Sequence, residues 1–120
     1  MAVYFRTSAP TRLLSEFNRR IAQIEPMGKI TTWARHKQGS VDFYTHKAND
    51  WAGKAYFTPV VEDGVLRFNI IRPKDGGIDG RVYAYYHGHL TETFLAHFDQ
   101  EFTDAISSAL PRAGDACSGT

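Results

Sequence analysis

The stretch Arg81-Val82-Tyr83-Ala84-Tyr85-Tyr86-His87-Gly88-His89 decides how the rest of this sequence is read. Taken at a period of two it is a strand, with Val82, Ala84 and Tyr86 on one side and Tyr83, Tyr85 and His87 on the other. Gly88 then ends the strand, and an amphipathic helix begins at Leu90. On this reading the segment closes a sheet and shows rings on a side with no evident cover.

Upstream, the same period holds from Lys29. Strands are expected at 29–36, 41–46, 54–61 and 65–71, which with 81–87 makes five. Asp63-Gly64 signals a two-residue hairpin that pairs Val61 with Leu66, Pro59 with Phe68 and Phe57 with Ile70. Gln38-Gly39 is a second turn signal. It pairs Trp33 with Tyr44 and Arg35 with Asp42, an aromatic pair and an opposite-charge pair. Pro59 has no N–H to give a ladder, so a bulge or an edge is expected there.

Two amphipathic helices flank these strands. The first spans about 10–25, with Ser8 as N-cap, Pro10 in the first turn and an apolar stripe of Leu13, Leu14, Phe17, Ile21 and Ile24. The second spans about 90–110, with Leu90, Phe94, Leu95, Phe98, Phe102, Ala105 and Ile106 inward, and Pro111 ends it. The expected architecture is α+β: both helices on one face of a five-stranded antiparallel meander, with residues 2–6 available as a short extra strand. A helix-grip arrangement, in which the sheet curls about the last helix, is the second option. Residues 1–110 form a single domain and 111–120 a disordered tail.

The core face is expected to carry Ile30, Thr32, Val41, Phe43, Ala55, Phe57, Leu66, Phe68, Ile70, Val82, Ala84 and Tyr86. The opposite face supplies the candidate binding residues: Trp33, Arg35, Tyr44, Tyr56, Arg67, Tyr83, Tyr85 and His87. Flat rings beside guanidinium groups suit stacking on planar ligands. The expected role is a small soluble binding or interaction domain working through this aromatic, Arg-containing face. Tyr and Trp also pair across strands without a ligand and populate protein interfaces. A protein partner or a second copy therefore ranks ahead of a small molecule or single-stranded nucleic acid.

Charge supports that order. The chain holds 14 Lys and Arg against 13 Asp and Glu, a net +1, and gives no global pull toward polyanions. The charge is uneven, however: residues 1–81 hold 13 basic against 8 acidic side chains, a balance of +5, and residues 82–120 hold 1 against 5, a balance of −4.

The alternative is a small metal-dependent protein or enzyme centred on His87-Gly88-His89, since imidazoles two apart on a strand share a direction. Gly88 interrupts that strand and no Cys lies near, so no metal ligand and no cofactor is assigned. No nucleophile elbow, zinc-protease motif or dinucleotide fingerprint occurs, and no catalytic residue is assigned. Cys117 is the single cysteine, which excludes an intramolecular disulfide. No apolar stretch reaches bilayer length and the N-terminal residues have no apolar signal region, so a cytoplasmic chain without a membrane partner is expected.

Overall fold

Asp79 turns the decisive stretch into a helix. In the computed structural model, which describes residues 1–118, its carboxylate accepts the Val82 N–H at 2.9 Å, as an N-cap does. Among the described residues the order of elements is β1 (Ala2–Arg6), α1 (Pro10–Ala22), β2 (Trp33–Gln38), β3 (Val41–His46), β4 (Tyr56–Glu62), β5 (Val65–Ile71), α2 (Gly80–Phe98) and β6 (Asp104–Ser107). The expected strand 81–87 is therefore the first half of α2. Its helical period is plain over the longer window: Tyr83, Tyr86, Leu90, Phe94 and Phe98 recur on one side and all are buried. Over 82–87 alone, Val and Tyr imitate a strand, because short apolar runs fit both periods.

The class is α+β, with an open six-stranded antiparallel sheet in the order β2-β3-β4-β5-β1-β6. The meander holds from β2 to β5. Residues 2–6 are not an optional edge but an interior strand: Val3 pairs with Phe68 and Phe5 with Leu66 on one side, and the same residues pair with Ser107 and Ala105 on the other. The second helix stops at Phe98, not near 110, because 104–107 is needed as that outer partner. α1 is also shorter than expected. Its N-cap is Ala9, with no side-chain bond, in place of Ser8, and Ile24 lies beyond its end, 90% exposed.

The β4–β5 hairpin has the expected register, Val61↔Leu66, Pro59↔Phe68 and Phe57↔Ile70. β3 joins β4 through Tyr44↔Phe57, and Pro59 lies just past that pair. The β2–β3 hairpin turns over Gly39-Ser40 and is shifted by two residues from the expected register, pairing Trp33 with His46 and Arg35 with Tyr44. Arg35 still reaches Asp42 diagonally, with Nε and a terminal nitrogen each 3.0 Å from a carboxylate oxygen.

Both helices cover one face of the sheet, as the two apolar stripes require. Phe17 of α1 meets Phe94 of α2 at 4.9 Å, and both reach Phe68 on β5. Phe5 stacks on Phe94 at 4.2 Å, which seats α2 on β1. Each of these phenyl groups is withdrawn from water, worth about 1.5–3 kcal/mol apiece. Trp33 and Tyr44 belong to this covered face, at 1% and 0% exposure, while Phe43 points the other way. The two hairpins are joined by residues 47–55, too long a connection to carry strand phase from one to the next, and the expected faces of β2 and β3 are exchanged.

The segment expected to be disordered is anchored up to Cys117. Ala116 pairs with Ile71 in parallel, Asp115 accepts from the Ile70 N–H and the Asn69 amide, and Cys117 C=O accepts from Ile78 N–H. It fills the place beside β5 where β1 has run out. The buried Asp115 also pairs with the Met1 ammonium at 3.1 Å. These bonds hold its carboxyl below the usual range, with the Arg112 N–H the strongest, against burial acting the other way. Gly119 and Thr120 lie outside the described residues.

Two glycine substitutions test these assignments with opposite signs. Gly88 is exposed in mid-helix and an added methyl meets nothing within 4 Å, so Gly88→Ala raises stability by about 0.5–1 kcal/mol in urea titration. A strand ending at Gly88 predicts no such gain. At Gly114 φ is +95° and a Cβ comes 2.7 Å from Asn69 Oδ1, so Gly114→Ala lowers stability by at least about 1 kcal/mol in the same assay.

Candidate functional site

The residues expected on one surface are divided between two places. Trp33, Tyr44, Tyr83 and Tyr85 serve the helix-covered side, and Arg35 sits at its margin in its pair with Asp42. Tyr44 donates its hydroxyl to Asn18 on α1, and burial raises its pKa. The Tyr83 hydroxyl donates to Ala2 C=O at 3.2 Å, and burial pushes its pKa up to about 12. His87 stacks on Tyr83 and lies 2.8 Å from Ser107 Oγ. Only Tyr56 and Arg67 belong to the face that the helices leave open.

On a helix, residues two apart diverge by about 200°. His87 and His89 therefore cannot share an ion. His87 turns toward β6, whereas His89 turns toward the end of β3, where its ring lies 4.9 Å from that of His46. Around this pair is a cluster that the sequence did not disclose. Trp51, from the 47–55 connection, stacks on Tyr85 at 3.9 Å, and Tyr85 stacks on His89 at 4.1 Å. His46 stands edge-on to Trp33, Tyr85 and His89. The Tyr86 hydroxyl donates to Trp51 C=O, and Thr45 Oγ1 accepts from Gly53 N–H at 3.0 Å. The connection is thus clamped from β3 and from α2.

His46 has a fixed tautomer. Its Nδ1 accepts the Ala48 N–H at 3.0 Å, so the neutral ring carries its proton on Nε2. That N–H is buried and has no hydrogen-bond partner among the described residues; it faces aromatic rings instead. A metal ion needs a lone pair, and at His46 Nε2 a proton occupies it. Among the described residues no three His, Cys, Asp or Glu side chains converge to hold a metal. Burial, and then the neighbouring His89, lower the His46 pKa from its ordinary value.

The open face presents a different geometry. His36 is directly opposite Phe43, Tyr56 is directly opposite Ile71, and the Phe43 and Tyr56 rings meet edge to face at 6.4 Å. The four make a row across β2, β3, β4 and β5. It floors a groove of about 580 Å³ bordered by Gln38 on β2 and by Arg72 and Lys74 past the end of β5; Lys37 also lines it, but strand alternation sends its side chain off the other face, opposite Asp42. Arg72 is steadied by donating to the carbonyls of Pro73 and Lys74 at 3.2 and 3.3 Å. None of these lining residues is acidic. Further along the same face Arg67 lies opposite Tyr4 and is paired with Glu62 at 2.5 Å.

No protein-family profile, curated protein or solved structure matches the chain. Among the described residues no helix is long and apolar enough to cross a membrane.

Acid destabilises the fold through its histidines. Burial lowers the pKa of His46, His87 and His97, so between the ordinary value of about 6.5 and each folded value the unfolded chain binds more protons. Their contribution is complete above pH 6.5 and is lost as pH falls through the folded values. For His46 the added proton on Nδ1 also confronts the Ala48 N–H. His46→Asn keeps an acceptor for Ala48 but does not titrate. Thermal melts between pH 7.5 and pH 5 should give it a shallower fall in Tm than the parent, whatever its absolute stability. An equal slope would remove His46 from this account.

Proposed function

We propose that the protein is a binding domain that takes its ligand on the open face of the sheet, at the row His36, Phe43, Tyr56 and Ile71. One observation carries this reading: the helices are both on one side, and the side without helices bears a ring-floored groove with Arg72 and Lys74 at its β5 end. Rings on a rigid sheet need no reordering to receive a planar group, and cations at the rim favour an anion. The ligand class that fits is an anion carrying a flat ring. Tyr56 supplies one ring of this row, while Arg67 lies further along the same face, paired with Glu62, and takes no part in it. Phe43 and His36 take the places intended for Trp33 and Tyr44.

Anilinonaphthalene sulfonate, a flat ring system with one anionic group, tests the face directly. Titration into the native protein should shift the amide resonances of β2, β3, β4 and β5 around the row. Tyr56→Ala should weaken this binding several-fold, as loss of a stacking ring does. Ile24→Ser, on an exposed loop outside the groove, should leave it unchanged. Shifts confined to Ile24 and Met27, with Tyr56→Ala silent, would overturn the reading.

A further inference from the structure

We infer that the anionic group of the ligand is a carboxylate, and that Arg72 receives it through two parallel N–H bonds from the Nε–Nη2 edge of its guanidinium. This rests on the reading of the open face as the binding surface, and it names the residue that selects the ligand there. Arg72 lines the groove one residue beyond Ile71, which is opposite Tyr56. Its Nη1 donates to the carbonyls of Pro73 and Lys74, at 3.2 and 3.3 Å, and both hydrogens of that nitrogen are thereby engaged. Nε and Nη2 donate to no other described residue. Arg35 shows what this edge does with a partner: its Nε and Nη2 each lie 3.0 Å from one oxygen of Asp42. Arg72 offers the same edge, and among the described residues no carboxylate of the chain is on it.

The loop that carries Arg72 is fastened at both ends. Arg72 N–H donates to Ala116 C=O at 2.6 Å, and Ile78 N–H donates to Cys117 C=O at 2.9 Å. Asp115 anchors that segment in turn, on the Ile70 N–H and the Asn69 amide. The main chain beneath the guanidinium is therefore fixed before a ligand arrives, and less ordering opposes binding. Charge and shape then select the class. Residues 72–78 hold Arg72 and Lys74 against Asp75, two basic against one acidic, a balance of +1 that matches a single negative charge. A carboxylate sets two oxygens in one plane, as the guanidinium edge requires. A phosphate monoester brings nearly two charges, more than the loop balances. With the ring on Phe43 and Tyr56, the class is an aromatic carboxylate.

The test titrates 2-naphthoate into the intact protein and follows the amide resonances of the row. 2-Naphthamide keeps the ring and removes the charge, and should bind at least about ten-fold more weakly, the low end for hydrogen bonds to a charged group. Arg72→Lys keeps the charge and removes the planar edge, and should weaken 2-naphthoate by about the same factor. It should leave 2-naphthamide unchanged, since the rings are intact. Lys74→Ala should weaken 2-naphthoate at low salt only, because an exposed point charge is screened. Equal binding of 2-naphthoate to Arg72→Lys and to the parent would overturn the inference, as would tighter binding of 2-naphthyl phosphate than of 2-naphthoate. Loss of 2-naphthamide along with 2-naphthoate would make Arg72 a support of the groove, and would overturn it as well. If anilinonaphthalene sulfonate binds the row and 2-naphthoate does not, the carboxylate inference alone falls. If neither binds, the reading of the open face falls with it.

Discussion

The contact between Phe5 and Phe94 is the one on which the arrangement depends. Their rings stack at 4.2 Å with 16° between planes, and each belongs to an element that nothing else can replace. Phe5 stands on the strand that joins β5 to β6, and Phe94 lies at the middle of the buried side of α2. Phe17, Phe68, Phe98 and Phe102 then gather around the pair. Because this cluster draws both helices to one face, the opposite face has no helix to cover it. The helix-free face of the sheet, covered in part by residues 113–115 at Asn69, is thus a by-product of where the phenyl groups converge.

Much of the architecture is legible in the sequence where two independent signals agree. Asp63-Gly64 and the alternation on either side fix the β4–β5 register together, and neither could have moved without the other. The helix from Pro10 is legible for the same reason, with a stripe and a breaker. What the sequence does not show is phase between separate units. In β2 and β3 both faces carry rings: Trp33, Tyr44 and His46 on one, Phe43 and His36 on the other. Local pairing is satisfied with either face inward. The choice is made by tertiary contacts, Tyr44 with Asn18 and Trp33 Nε1 with Thr93 Oγ1, which link residues far apart in the chain.

The run from Arg81 to His89 failed for a different reason. Its residues favour a strand one by one, and Asp79, whose carboxylate starts the helix, stands just outside it. A window extended to Phe98 recovers the helical period. The candidate surface inherited both errors, so Tyr56 and Arg67 were placed on the open side correctly while Trp33, Tyr44 and Tyr83 were not. Only the three-dimensional arrangement brings His46 to Ala48, Tyr85 and His89.

The position of β1 also bears on how the chain reaches this structure. Val3 is paired with Ser107, 104 residues further on, and with Phe68 on its other side. Both ladders must be closed across long loops, and the cost of closure is met before the contacts repay it. The β2–β5 meander can assemble from neighbours alone, but it would present an unfilled edge at β5 until β1 arrives. During that interval Leu66 and Phe68 are exposed beside free backbone N–H and C=O groups, the combination that recruits strands from other molecules. The same short segment, Ala2–Arg6, that completes the core therefore also shields the β5 edge from other copies of the chain, and any delay in docking β1 would lengthen the period over which that edge is open.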